Sequence, residues 1–258
     1  MNSAPIFRRY VALGDSFTEG VGDPDPALPN GVRGWADRFA EVLATKTDDF
    51  SYANLAIRGR KVLPILAEQI EPAVAMRPDL VSIYAGANDV LRPKVDIDGL
   101  IEAYDEGLGK LAATGARILT FTAYDVGGVA VFGALRGRFA VYNELVREVA
   151  DKHGATLVDF WRLRDYQDSR LWDVDRMHMS SAGHQRMAIA ALDALGIEHT
   201  TAPLELTPLP TLTRAQRRAA NIDWAKSYAT PWVQRRLKGT SSGDGLRPRR
   251  PILAPVEL

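Results

Sequence analysis

Apolar positions along the chain fall into two recurring patterns. Short apolar runs of strand length occur at "YVALG" (Tyr10–Gly14), "FSYANLA" (Phe50–Ala56), "LVSIYAG" (Leu80–Gly86), "RILTFTAY" (Arg117–Tyr124) and "ATLVDF" (Ala155–Phe160). The run from Leu80 is almost continuously apolar, as expected of a strand buried on both faces. Between the runs lie longer segments with helical spacing. Gly34–Lys46 places Trp35, Phe39, Val42 and Leu43 on one face. Val62–Met76, Asp96–Gly115, Phe139–Gly154 and Ser180–Gly196 read as four more helices. Ser180 is the N-cap of the last, and Gly115 and Gly196 are stops. Alternating strands and helices predict a parallel sheet covered on both faces, with right-handed crossovers. The expected fold is α/β: a three-layer, doubly wound parallel sheet of five strands.

The pattern ends near residue 200. "TAPLELTPLPTLT" is rich in Pro and Thr and reads as a linker. "RAQRRAANIDWAKSYATPWVQRRL" suits one or two short basic helices, and the remainder reads as an extended or disordered tail. The expected organisation is a main domain over residues 1–200 and a basic C-terminal extension over 201–258. Formal charge sharpens this division. The whole chain is neutral, with 32 Lys and Arg against 32 Asp and Glu. From Thr211 onward there are ten Lys or Arg against three Asp or Glu, so the remainder is acidic. Such a tail can be a solvated end, or contact a membrane or nucleic acid through charge. Alternatively, Trp224, Tyr228 and Trp232 can dock it on the core or on a second subunit. Disordered tails are aromatic-poor, which favours docking.

A chain of 258 residues without cysteine supports one sizeable core and excludes disulfide, thiolate and Cys-zinc chemistry. The N-terminal stretch lacks the apolar length of a secretory signal. No segment approaches the roughly 18 apolar residues of a membrane helix. The expected location is cytoplasmic.

Candidate chemistry begins with "GDSFTEG" (Gly14–Gly20), immediately after the first strand. In open α/β sheets, reactive groups cluster at the carboxyl ends of strands. Ser16 is there either a turn or cap residue or a nucleophile, and a nucleophilic hydroxyl needs a base held by a carboxylate. Only four histidines exist. His153 ends a helix, His199 lies at the linker, and His184 sits in the first turn of the last helix, where a structural hydrogen bond is the simpler role. His178 remains, with Asp175 three residues before it in "DVDRMH". That spacing lets the two side chains meet, although the same quartet also serves as a cap. An oxyanion site needs aimed donors. The Ser16 N–H, Gly59 in "NLAIRG" and the Asn88 amide in "GAND" all follow strands. Asp15 and Asp89 read as loop-fixing residues. No paired-His metal spacing occurs, and this chemistry needs neither metal nor cofactor.

The segments "GDSFTEG", "NLAIRG", "GAND" and "DVDRMH", in this order, resemble the SGNH (GDSL-like) hydrolases over roughly residues 6–197. The resemblance implies a flavodoxin-like sheet of strand order 2-1-3-4-5. It implies Ser16 as nucleophile, His178 as base and Asp175 as its partner, with Gly59, Asn88 and the Ser16 N–H forming the oxyanion hole. It further implies a small-molecule ester substrate, hydrolysed through an acyl-enzyme, and says nothing of the extension. Transfer of the acyl group to another alcohol uses the same residues. A non-catalytic protein binding an acylated ligand or partner, with the basic tail carrying the interaction, is the reading from another class. Arg58 or Arg60 suits an anionic substrate group or a solvated surface. Tyr84, Tyr124, Val126, Phe132, Leu171 and Trp172 suit either a substrate pocket or the plain core. Residues 21–34 and 125–138 are the expected specificity loops.

Overall fold

The computed structural model describes residues 5–92, 94–128 and 132–256. In chain order the principal elements are β1 (Arg9–Gly14), α1 (Ser16–Glu19), α2 (Trp35–Ala44), β2 (Ser51–Asn54), α3 (Val62–Ala75), β3 (Leu80–Tyr84), α4 (Ala87–Val90), α5 (Ile97–Ala112), β4 (Arg117–Phe121), α6 (Arg136–Lys152), β5 (Thr156–Val158), α7 (Ser181–Ala194), α8 (Arg214–Trp224), α9 (Thr230–Leu237) and β6 (Arg250–Ala254). A five-residue π-helical turn, Ala225–Ala229, joins α8 to α9.

The sheet order is β5-β4-β3-β1-β2-β6. Its first five strands are parallel, in the expected order. Strand residues alternate between two cores, as a pleated strand requires. Tyr10 and Ala12 pack on one face beneath α2 and α7 with Trp35, Phe39 and Met187. Val11 and Leu13 pack on the other face, beneath α3, α5 and α6, with Ile65, Tyr104 and Val146. β2 and β3 flank β1, and their connecting helices α2 and α3 lie on opposite faces. The carboxyl ends of β1 and β3 therefore border the switch point where such sheets open a crevice.

The five-strand count is corrected to six. β6 joins β2 antiparallel, with Tyr52 opposite Ala254 and Asn54 opposite Arg250, and an irregularity between them. The segment read as an extended or disordered tail thus supplies an edge strand. Pro251 is compatible with that edge, where one N–H needs no partner. Beside it, Arg249 has a side chain of zero exposure, ion-paired with the buried Asp37 of α2. Arg249 also donates to the Val32 carbonyl at 3.0 Å and to the Arg33 carbonyl. The end of the chain is thereby tied across α2 and the loop before it. Among the described residues no helix is long and apolar enough to cross a membrane, and no three acidic or His side chains gather as a metal site.

Two predictions follow from buried groups. Arg249→Ala leaves Asp37 to Arg250 alone, at 3.2 Å, and removes the ties to the Val32 and Arg33 carbonyls, so stability falls by about 2 kcal/mol or more in urea-induced unfolding. His184 bridges α7 to α2: its Nδ1 accepts the Trp35 N–H at 3.0 Å, and its Nε2–H donates to the Val21 carbonyl at 3.1 Å. Burial pulls its pKa down to about 4, and the Val21 bond and the Asp23 charge offset only part of that. A base with a lowered folded pKa is protonated more readily in the unfolded chain. Its stabilisation is present above about pH 6.5 and is lost as the pH falls towards 4. The stability advantage of the wild type over His184→Gln should shrink by about 3 kcal/mol across that window. Comparing the two chains isolates His184 from the carboxylates, which titrate in both.

Candidate active site

Ser16 opens α1 directly after β1. Local constraints hold it there. Gly14 has φ +147°, and a Cβ on it would lie 2.7 Å from both the Tyr84 carbonyl and the Thr18 hydroxyl. Only glycine lets β1 turn this close to β3. Gln69 of α3 accepts the Gly14 N–H at 2.7 Å and donates to its carbonyl at 2.9 Å. On the far side, the Phe17 ring lies 4.2 Å from Tyr84 and 5.3 Å from Phe121, centroid to centroid. Ser16 itself is half-buried between these anchors.

Asp15 is the N-cap, accepting the Phe17 N–H at 3.0 Å. Its other oxygen accepts the Asn88 amide at 2.9 Å, and the same amide donates to the Arg60 carbonyl at 3.1 Å. Asn88 is therefore held beside Ser16 by two acceptors. Burial pushes the Asp15 carboxyl up to about 7, against the pull of the Phe17 N–H, the His178 charge and the Asn88 bond, while Asp89 adds to the rise. Asp89 fixes the next loop, accepting the Val62 N–H at 3.0 Å.

Asp175 and His178 share one tight turn before α7. His178 Nδ1 lies 2.5 Å from Asp175 Oδ2. The other Asp175 oxygen accepts the N–H groups of Met177 and His178 at 2.8 and 2.9 Å. Burial opposes ionisation of Asp175, but the His178 side chain and these N–H groups outweigh it and hold the carboxyl below the usual range. A carboxylate so held favours the Nδ1–H tautomer and leaves Nε2 free to accept a proton. The remaining histidines are engaged elsewhere. His184 is in the core, His153 pairs with Asp105 at 2.6 Å, and His199 with Asp193 at 3.2 Å.

Ser16, Asn88 and His178 line one cleft of about 1370 Å3, together with Tyr124 and Trp172. Tyr124 and Trp172 pack with ring centroids 4.7 Å apart. Both direct their polar atoms at the Tyr166 carbonyl, at 3.0 and 2.7 Å, so their rings face the cleft without a spare donor. Tyr84, Val126 and Phe132 also line it, while Leu171 stays in the core. Of the expected specificity loops, the second contributes several lining residues, with residues 129–131 outside the described residues, whereas from 21–34 only Val21 takes part.

Arg58 requires a correction, because it does not line the cleft. Its backbone N–H, Nε and Nη2 are all bonded to Glu19, whose side chain has zero exposure. Its charge is thus committed to neutralising a buried carboxylate rather than a substrate anion. Arg60 is likewise paired, with Glu68 at 2.9 Å. Arg58 instead fixes the loop carrying Gly59 against α1. Gly59, at φ +75°, lies just off the cleft-lining set, with the Ser241 side chain against its α-carbon. Among the described residues, neither the Ser16 N–H nor the Gly59 N–H has an acceptor in the protein.

The extension is the part of the site that motif reasoning left without a role. The Trp224 indole N–H donates to the Asp175 carbonyl at 2.9 Å. Arg176, at φ +58° in the same turn, donates to Asn221 at 2.9 Å and stacks on the Trp224 ring at 4.9 Å. Trp232 meets Phe132 edge-on at 5.7 Å. The signal in the sequence was the run of aromatics inside a basic tail, but its destination was not readable.

Known proteins share the family and the fold. The model of the GDSL-like lipase/acylhydrolase family matches residues 12–186. An acetylxylan esterase of Geobacillus stearothermophilus is 28% identical over 161 residues, spanning 56% of this chain and 72% of that protein. An α/β hydrolase enzyme from the metagenome of Lake Arreo, Spain, is 27% identical with a TM-score of 0.61, covering 73% of this chain and 95% of its own. A crystal structure of a Geobacillus stearothermophilus acetylxylan esterase shares the fold with a TM-score of 0.61 at 24% identity, over 74% of this chain and 95% of its own. The family segment contains Ser16, Gly59, Asn88, Asp175 and His178, and the chain belongs to the GDSL-like lipase/acylhydrolase family as an ester hydrolase of the SGNH type.

Proposed function

We propose that the protein is a serine esterase that hydrolyses a carboxylic ester through an acyl-enzyme formed on Ser16. The observation that carries this reading is the 2.5 Å contact of Asp175 with His178, which lines the same cleft as Ser16. His178 Nε2 accepts the Ser16 proton as Oγ bonds to the ester carbonyl carbon. Asp175 holds the imidazole in orientation and stabilises the imidazolium that forms. The carbonyl oxygen becomes an oxyanion, bound by the Ser16 and Gly59 N–H groups and by Asn88 Nδ2. Asn88 reaches it by sharing an amide hydrogen now given to Asp15 or to the Arg60 carbonyl. Collapse breaks the bond to the alcohol oxygen, which takes the proton from His178. Water then attacks the acyl-enzyme with His178 as base, releasing the acid and restoring Ser16.

Residues 1–200 carry this chemistry, and the extension from residue 201, as far as residue 256 is described, shapes its surroundings while docked on the same core. The similarity to acetylxylan esterases supports a carboxylic ester as substrate. Ser16→Ala and His178→Ala should each abolish hydrolysis of p-nitrophenyl esters, and Ser16→Ala should no longer react with a fluorophosphonate. Wild-type protein that neither turns over these esters nor takes the label would overturn the assignment. Asn88→Ala should lower kcat by about 100- to 1000-fold with a smaller change in KM, because its bond strengthens as the oxyanion forms. Asp175→Asn should lower kcat by on the order of 10,000-fold by favouring the wrong tautomer, measured on the same esters.

A further inference from the structure

We infer that α8 and α9 form the outer wall of the substrate cleft, and that this wall takes a bulky apolar group of the ester, with Trp232 as the residue that sets this preference. The inference rests on the serine-esterase reading. It begins with size. A cleft of about 1370 Å3 exceeds the roughly 300–1,000 Å3 of a typical small-molecule site, and an acetyl group would leave most of it empty. One side is built by Tyr124, Phe132 and Trp172 of the core. The opposite side comes from the extension, through Trp224, Tyr228 and Trp232. All of the latter lie beyond the matched family segment, which ends at residue 186.

The aromatic residues of these walls suit hydrocarbon better than saccharide. Sugar hydroxyls require free hydrogen-bonding partners as well as stacking faces. Here the indole N–H groups of Trp172 and Trp224 and the Tyr124 hydroxyl are already spent on backbone carbonyls. The arginines at the cleft are also engaged: Arg136 and Arg164 with Asp125, Arg170 with Asp168, and Arg176 with Asn221. Gln167, Ser169, Asp173 and Asp223 also line the cleft, while Phe132 and Trp232 meet there as aromatic surface. Trp232 stands at the join of the two sides, in a T-shaped contact with Phe132 and with its face under the Arg236 guanidinium at 3.7 Å. Trp224 holds the wall in place through its bond to the Asp175 carbonyl.

The test measures kcat/KM in two series with the full chain. The acyl arm uses p-nitrophenyl acetate, butyrate and octanoate. The alcohol arm uses acetates of ethanol and 1-naphthol. Wild type, Trp232→Ala and Trp232→Phe are compared by ratio of large to small substrate, which cancels any general loss of activity. In one arm the ratio should fall about tenfold in Trp232→Ala and be largely kept in Trp232→Phe, and that arm identifies the acyl or the alcohol side. Should Trp232→Ala not fold, Phe132→Leu applies the same ratio test to the opposite face of the contact. Ratios equal to wild type in both arms overturn the inference. So does a wild type whose best substrate is an acetylated xylo-oligosaccharide lost on Trp232→Ala, since the wall would then be a sugar platform. Fluorophosphonate labelling of Ser16 with Trp232-independent ratios removes this inference alone. No labelling and no turnover removes the esterase reading beneath it.

Discussion

Parallel hydrogen bonding between β1 and β3 runs from Tyr10 opposite Leu80 to Gly14 opposite Tyr84. Both strands therefore end at the same height, and the turns that follow emerge side by side. One turn carries Asp15 and Ser16, the other Asn88 and Asp89. The Asn88 amide then reaches Asp15 at 2.9 Å without any long side chain spanning the gap. A slip of one residue would move Leu13 and Ile83 to the wrong core, so burial on both faces enforces the register that aligns the site.

Around that pairing, buried charge is used for positioning. Glu19 has a side chain of zero exposure and is neutralised by Arg58, which holds the Gly59 loop against α1. Asp37 does the same for Arg249 and the final strand. Asp175 is held charged by His178 and two backbone N–H groups. Asp15 differs, since its neighbours compensate burial only in part and its carboxyl rises to about 7. Carboxylates of the same type thus play different parts according to how many donors surround each.

The extension connects the edge of the fold to the candidate site. β6 covers the exposed edge of β2, which would otherwise offer unpaired backbone groups. The helices before it reach the Asp175–His178 turn through Trp224 and Arg176. Pro231 lacks the N–H that would continue a regular ladder, and the helix widens into a π-turn just before it, between α8 and α9. That change of path brings Trp224 and Trp232 to bear on the same cleft.

The five parallel strands and the five main helices were legible in the sequence, because strand-length apolar runs and helical spacing are local signals, whereas the strand order came only from the family resemblance of the four motifs. Ser16, Asn88, Asp175 and His178 were legible as candidates because each lies in a short segment with its own turn chemistry. Two features depended on contacts distant in sequence. "RPRRPILAP" has too little alternation to declare a strand and becomes one only because β2 presents an edge and Asp37 a buried charge. Arg58 looked free for substrate because its partner, Glu19, lies 39 positions away. The sequence by itself determined which residues are candidates for the chemistry. The tertiary structure alone decided which charges were already spent and which aromatic rings enclosed the cleft, since both follow from where distant segments meet.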